Sequence, residues 1–173
     1  MPYFDTANPV SAKTRIHLVL ATVTLLIGMM AWSSPSGALR SVMIVTPNGP
    51  ICFDVEVADT WLSRIRGLMF RDTLSENQGM LFRYDGETPV TFWMKYVRFP
   101  LDLIFISKTG RIVQIHQNAQ PDDPTPIKSD VSVSAVLEIR SGTRRSAQIT
   151  ISDTIDVAMT DTNHPCLVAK SAQ

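Results

Sequence analysis

The chain has 173 residues, enough for one domain with a buried core, and its 16 Lys+Arg balance 16 Asp+Glu. Lys13, Arg15 and Asp5 precede residue 39, so the remainder carries 14 basic and 15 acidic residues, a net charge of −1. That balance excludes a protein drawn to nucleic acid by its overall field, so a charged partner has to be recognised locally.

The chain opens on a positive flank, Lys13 and Arg15, followed by the apolar run Leu18–Trp32 and then Ser36-Gly37-Ala38. A basic flank, an apolar middle and small residues form the pattern of an export signal, and the run is on the short side for a membrane span. Residues 1–38 are therefore expected to be a signal peptide or an N-terminal membrane anchor, residues 39–160 a single β-rich domain, and residues 161–173 a C-terminal tail. The domain is expected to be exported, in the periplasm or another extracytoplasmic space, and held by residues 16–32 where the leader is uncleaved. Two cysteines, Cys52 and Cys166, either pair in that oxidising setting or serve separately, Cys52 as a small strand residue and Cys166 in a loose tail. The unpaired reading is favoured slightly, and no CxxC motif points to thiol–disulfide chemistry.

Ser41–Thr46 and Ile51–Ala58 read as strands around the turn signal Pro47-Asn48-Gly49-Pro50. In the second, Ile51, Phe53, Val55 and Val57 alternate with Cys52, Asp54 and Glu56, as in a strand with one buried face. A helix follows, capped by Asp59 or Thr60 and ended by Gly67, with Trp61, Leu62 and Ile65 at helical spacing. Leu68, Met69 and Phe70 are expected to fold under as core, leaving Arg64, Arg66 and Arg71 as a small basic cluster. Met80–Tyr84 is a short strand punctuated by Asp85-Gly86. Leu101–Ser107 and Arg111–His116 form a hairpin across Lys108-Thr109-Gly110. Asn118–Asp130, with Pro121, Pro124 and Pro126, is a long crossing loop of the kind that carries function or packs as a lid. Val131–Arg140 is another alternating strand, Thr143–Gln148 a helical turn, and Ile149–Ser152 and Ile155–Met159 close the domain.

The stretch Val90–Ile106 is densely apolar yet contains Lys95 and Asp102, and Pro100 divides it into two strands. Pairing Tyr96 with Leu101 sets Lys95 opposite Asp102. That pair is expected to fix register, and the functional alternative makes Trp93, Lys95 and Asp102 the wall and polar floor of a pocket.

Phosphate-cradling loops, a GxSxG elbow and HExxH are absent from the sequence. His116 near Asp122 and Asp123 lacks ligand spacing, so no metal or cofactor is expected. Cys52 with a histidine is a weak nucleophile pair, since a strand cysteine is more often packing. Asp102 and Glu138 lie in apolar strands and suit either acid–base work or neutralisation by a nearby cation, Arg66 or Lys95 for Glu138. The second is preferred.

Taken jointly, Arg64 with Gly67-Leu68-Met69-Phe70-Arg71, Gly79-Met80-Leu81-Phe82, Phe92-Trp93-Met94-Lys95, Pro100 to Ile106, Gly110 with Ile112, and Ala135-Val136-Leu137-Glu138 resemble the bacterial and archaeal domain of unknown function 192 family. The resemblance covers about residues 41–157. Two stretches depart from its pattern: Tyr96 stands where Asn is usual, and Gln148 and Ser152 stand where glycines are usual, which implies different turn geometry near the C-terminus. It implies a mainly β fold with one short helix, a compact antiparallel sandwich or jelly-roll-like barrel, in exported or membrane-anchored relatives. It implies no reaction.

The expected role is thus a non-catalytic ligand-binding or accessory module of the cell envelope. Its tentative site is Arg66, Trp93, Lys95, Asp102 and Glu138, taking a small polar or anionic ligand, with the membrane met through the N-terminal segment and no nucleic acid. The alternatives are a small hydrolase-like enzyme using Asp102 and Glu138, and a structural envelope protein.

Overall fold

A computed structural model describes residues 40–156 and Cys166. The expectations for the leader, for residues 157–159 and for the rest of the tail lie outside the described residues.

Strand β1 (Arg40–Thr46) turns into β2 (Gly49–Ala58) through Pro47-Asn48. Thr46 Oγ1 accepts the Asn48 N–H at 3.2 Å and donates to the Gly49 carbonyl at 2.8 Å, and Gly49 takes φ +112°. The alternation of β2 holds, with Ile51, Phe53 and Val55 buried. Helix α1 (Trp61–Arg66) begins at a capping box in which the Thr60 and Ser63 side chains take each other's backbone N–H groups. It ends at Gly67, φ +46°.

The helix departs from the expected amphipathic packing. Trp61 and Leu62 are each 69% exposed, and no residue of α1 is buried. Six residues make under two turns, and left-handed backbone at Gly67 and Phe70 redirects the chain so that Leu68 enters the core while Phe70 stays exposed. Strand β3 (Gln78–Thr88) then runs parallel to β2, continuing through Asp85-Gly86, which the sequence suggested as its end.

The small strand β4 (Thr91–Phe92) precedes β5 (Leu101–Ile106) and β6 (Ile112–Ala119), which form the expected hairpin. Strand β7 (Ile127–Lys128) lies in the proline-rich loop, β8 (Val133–Arg140) follows, and β9 (Thr154–Asp156) ends the described run. Thr143–Gln148 contributes a 3-10 turn at Ser146–Gln148, whereas Ile149–Ser152 is a turn and not a strand. Ser152 there holds φ +83°, so the chain keeps a glycine-type conformation without the glycine.

The main sheet has seven strands in the order β6-β5-β8-β3-β2-β1-β9, antiparallel except at β2–β3. It curls until its edges touch at Arg111 and Thr154, giving a mainly β, barrel-like fold with one short helix among the described residues. Inside the curl lies one core, built from residues such as Ile44, Phe53, Leu81, Ile104 and Leu137. A second core lies on the opposite face, where Phe82, Leu103, Phe105 and Val136 meet Met94, Val97, Phe99 and Ile127.

The Val90–Ile106 stretch is not a hairpin. β4 pairs with β7, and β5 lies between β6 and β8. The proline-rich loop supplies the partners expected from β5: the Met94 N–H donates to the Asp123 carbonyl at 2.9 Å, and the Asp122 N–H to the Val97 carbonyl at 3.0 Å. Together they form the layer over the second core.

Cys52 and Cys166 are joined by a disulfide, against the favoured unpaired reading. Cys52 points away from the first core, and Cys166 is buried against the β1–β2 pair, with Sγ 3.8 Å from the Val42 carbonyl oxygen. A Cα–Cα distance of 5.6 Å suits the bridge.

Candidate functional site

Successive residues of a strand face opposite ways, so in β8 Leu137 and Ile139 enter the first core while Val136 and Glu138 face the second. Register places Met80 of β3 and Leu103 of β5 on either side of Glu138, with Glu56 beyond Met80 and His116 beyond Leu103. One transverse row therefore contains two acids in contrasting states. Glu56 accepts both Arg71 Nη1 and Nη2, at 2.6 and 2.7 Å, and that hydrogen-bonded pair holds its pKa below the ordinary range. Glu138 is 5% exposed and has no ion pair or side-chain hydrogen bond among the described residues. Burial pushes its pKa up to about 8. Gly79 brings β3 close to this strand, since a Cβ there would lie 2.6 Å from the Glu138 carbonyl oxygen.

Glu138 lies at the floor of a cleft of about 230 Å³ between α1 and the β4 segment. Alternation along β3 aims Phe82 and Tyr84 into it, and Phe92 and Trp93 form the facing wall. Phe92 packs edge-on against Phe82 at 5.0 Å between ring centroids, which fixes that wall. Trp61 and Ile65, unburied on the short helix, line the mouth. Arg64 is committed: Nη1 donates to the Asp59 and Arg83 carbonyls at 2.7 and 2.8 Å, and its guanidinium stands 5.3 Å over the Tyr84 ring. Burial raises the Tyr84 phenol to about 12, opposed by Arg64 and reinforced by Glu138. Arg66 is exposed at the mouth and makes no hydrogen bond or close ion pair among the described residues, although its charge helps to lower the Glu56 pKa. The expected basic cluster is thus divided, with Arg71 paired to Glu56, Arg64 tied to carbonyls and Arg66 open.

Of the residues expected to form the site, Arg66, Trp93 and Glu138 converge on the cleft, and Lys95 and Asp102 do not. Lys95 is exposed on the turn at Tyr96, φ +63°, with its Nζ 5.0 Å from that ring. The Tyr96 ring stacks on Phe70 at 5.1 Å. No Lys95–Asp102 pair forms, because the two residues never lie on paired strands. Asp102 is opposite Ile139, on the face away from Glu138. Between Leu103↔His116 and Leu101↔Ala119, β6 carries one extra residue, and Asn118 in this bulge has φ +57°. Asp102 Oδ1 accepts the Asn118 N–H at 2.8 Å, replacing the ladder bond lost at the bulge. An acid–base pair of Asp102 and Glu138 is excluded by the sheet between them. The expected neutralisation of Glu138 by Arg66 or Lys95 is absent too, since Arg66 ends the helix at the rim and Lys95 lies on its turn.

The other candidates are otherwise engaged. Asp122 Oδ1 takes the Tyr96 N–H at 3.1 Å, and Asp123 Oδ1 takes the Thr125 N–H at 2.8 Å. Hydrogen bonding to Thr125 lowers the Asp123 pKa. No group of three or more His, Cys, Asp or Glu among the described residues is arranged to hold a metal. Cys52 is in its disulfide. Tyr84, Phe92 and Trp61 were missed as site residues. The period-two run Met80, Phe82, Tyr84 was the signal available for the first.

The model of the domain of unknown function 192 family, described as Uncharacterized ACR, matches residues 43–157. A Sinorhizobium meliloti protein, provisionally named a transcription regulator, is similar at 35% identity and a TM-score of 0.69, covering 73% of this chain and 98% of its own. A Novosphingobium aromaticivorans protein of unknown function is similar at 34% identity and a TM-score of 0.66, covering 70% of this chain and 89% of its own. No curated protein matches the chain.

Proposed function

The chain belongs to the domain of unknown function 192 family, and we propose that it serves as an exported, non-catalytic ligand-binding module of the cell envelope. The cleft beneath α1 takes a small polar or anionic ligand, oriented by Glu138, Arg66 and Trp93. The observation that carries this reading is Glu138, a buried carboxyl without a partner among the described residues at the floor of an aromatic-walled cleft. Folds rarely leave such a group unsatisfied, and a ligand that satisfies it recovers the cost. Export is supported by the leader pattern of residues 13–38 and by the disulfide, a bond that persists in oxidising compartments. A transcription-regulator role, the provisional name of the Sinorhizobium relative, draws no support from the balanced charge or from a helix of six residues.

An unbiased thermal-shift screen of the full chain tests the reading, because a ligand of the folded state raises apparent stability. Compounds that stabilise the wild type and have no effect on Glu138→Gln are expected. A screen in which every hit acts equally on both proteins would remove the cleft as the site.

A further inference from the structure

Three features of the cleft constrain what can occupy it. Its floor is a carboxyl group that lacks a donor among the described residues, so the part of the ligand that reaches it is a donor. Its walls include the rings of Tyr84, Phe92 and Trp93, and an aromatic face attracts a full positive charge more than a neutral amide or hydroxyl. Tyr84 already serves as such a platform for Arg64 on the same side of the cleft. Floor and walls together select an ammonium.

The mouth selects against a simple cation. Arg64 and Arg66 both line it, and neither is in a close ion pair among the described residues, Arg66 acting on Glu56 only through its charge, so a purely cationic ligand meets repulsion on entry. A ligand with an acidic group at its outer end removes that repulsion and gives the Arg66 guanidinium a partner. A cleft of about 230 Å³ falls below the usual range for drug-sized ligands, which limits the occupant to a few heavy atoms between its two charges.

Building on the binding role proposed above, we infer that the cleft takes a small zwitterion of the amino-acid type. Its ammonium sits on Glu138 among the aromatic rings, and its acidic group faces outward to Arg66. The groups facing Glu138 across the cleft are the Tyr84 phenol and the two guanidinium groups, so the carboxyl is the one that exchanges a proton when the ammonium arrives. Since burial holds Glu138 protonated at neutral pH, seating the ammonium releases that proton to solvent.

Calorimetric titration of the full chain with three probes of matched length, γ-aminobutyrate, butylamine and butyrate, tests the assignment. The expected affinity order is γ-aminobutyrate, then butylamine, then butyrate, with proton release for the first two near neutral pH, read from the dependence of the heat on buffer ionisation. Glu138→Gln is expected to weaken γ-aminobutyrate about tenfold or more and to abolish the proton release. Arg66→Ala, at an exposed position, is expected to narrow the gap between γ-aminobutyrate and butylamine. Trp93→Ala, also exposed, supplies a second cleft variant that does not disturb the core, and is expected to weaken both amines. Tighter binding of butyrate than of butylamine, or amine binding without proton release, overturns the ammonium assignment. Failure of all three probes overturns it as well. The cleft reading survives either result if the thermal-shift screen still returns compounds lost in Glu138→Gln, and falls with it if none is lost.

Discussion

Asp102 on β5 and Glu138 on β8 are carboxylates of adjacent central strands, each 5% exposed, yet their surroundings differ completely. Asp102 faces the side of Ile104 and Ile139, where an extra residue in β6 frees a backbone N–H, and the carboxylate accepts it. Glu138 faces the other side, where the covering layer is a short helix and a two-stranded flap that leave a cleft, and nothing among the described residues meets it. Burial alone therefore does not mark a functional acid. The distinguishing feature is whether the fold brings a donor to it.

The largest expected difference between the two is in pH dependence. Burial raises the folded-state pKa of Glu138 to about 8 from its ordinary 4.5. Between those values the folded chain holds a proton that the unfolded chain has released, so stability falls as pH rises, by roughly 1.4 kcal/mol per pH unit at most. Its contribution is intact below the ordinary glutamate pKa and lost by the time pH passes the raised one. Urea melts from about pH 5 to about pH 9 are expected to show this decline, and Glu138→Gln is expected to flatten it and to be the more stable protein at the alkaline end. A wild-type curve as flat as the variant's would place a donor on Glu138 and dissolve the contrast.

A smaller loss follows from Asp102. Asp102→Ala strands the Asn118 N–H and is expected to lower stability by about 1–3 kcal/mol, while Asp102→Asn, which keeps an acceptor oxygen, costs less than half of that. Equal costs for the two substitutions in the same denaturation assay would show that the bulge does not depend on the hydrogen bond.

The smallest effect sharpens the comparison with a third acid. Glu56 shares the transverse row with Glu138 but is paired with Arg71, and its pKa moves the other way. Its contribution is present above the ordinary glutamate pKa and lost as pH falls through the lowered one, opposite in sign to that of Glu138. Both side chains are about one-third exposed, which screens the pair, so a Glu56→Gln, Arg71→Gln double-mutant cycle is expected to give about 1 kcal/mol near neutral pH. A coupling that persisted in strong acid would contradict the ionic account.

Much of the sheet was legible because period-two patterns report one buried face wherever a strand covers the core. β1 and β2 show this, the turn at Pro47-Asn48 announces itself, and β5 and β8, buried on both faces, read as strands from apolar runs ended by turn residues. Alternation in β8 also sets Glu138 apart from Leu137 and Ile139. The partner of the Val90–Phe99 stretch was not legible, because it lies in the proline-rich loop and not in the adjacent strand, and pairing across such a separation leaves no local trace. The helix misled for a physical reason: Trp61, Leu62 and Ile65 have core spacing, but Trp61 and Ile65 border a cleft and Leu62 is exposed. The cysteine pair was hidden too, since nothing local to Cys166 in the sequence marks its place beside β2. That Glu138 has no cation depends on where Arg64, Arg66 and Lys95 are held, and each is placed by tertiary contacts or a turn.

The Cys52–Cys166 bond spans 114 positions and encloses β3 to β9 along with α1, the proline-rich loop and the whole cleft. Only β1 and the start of β2 among the described strands lie outside this covalent ring. A protease that cuts the chain once anywhere within it, at the exposed loop tips for instance, produces no separate fragment. The domain would persist as a nicked but single molecule.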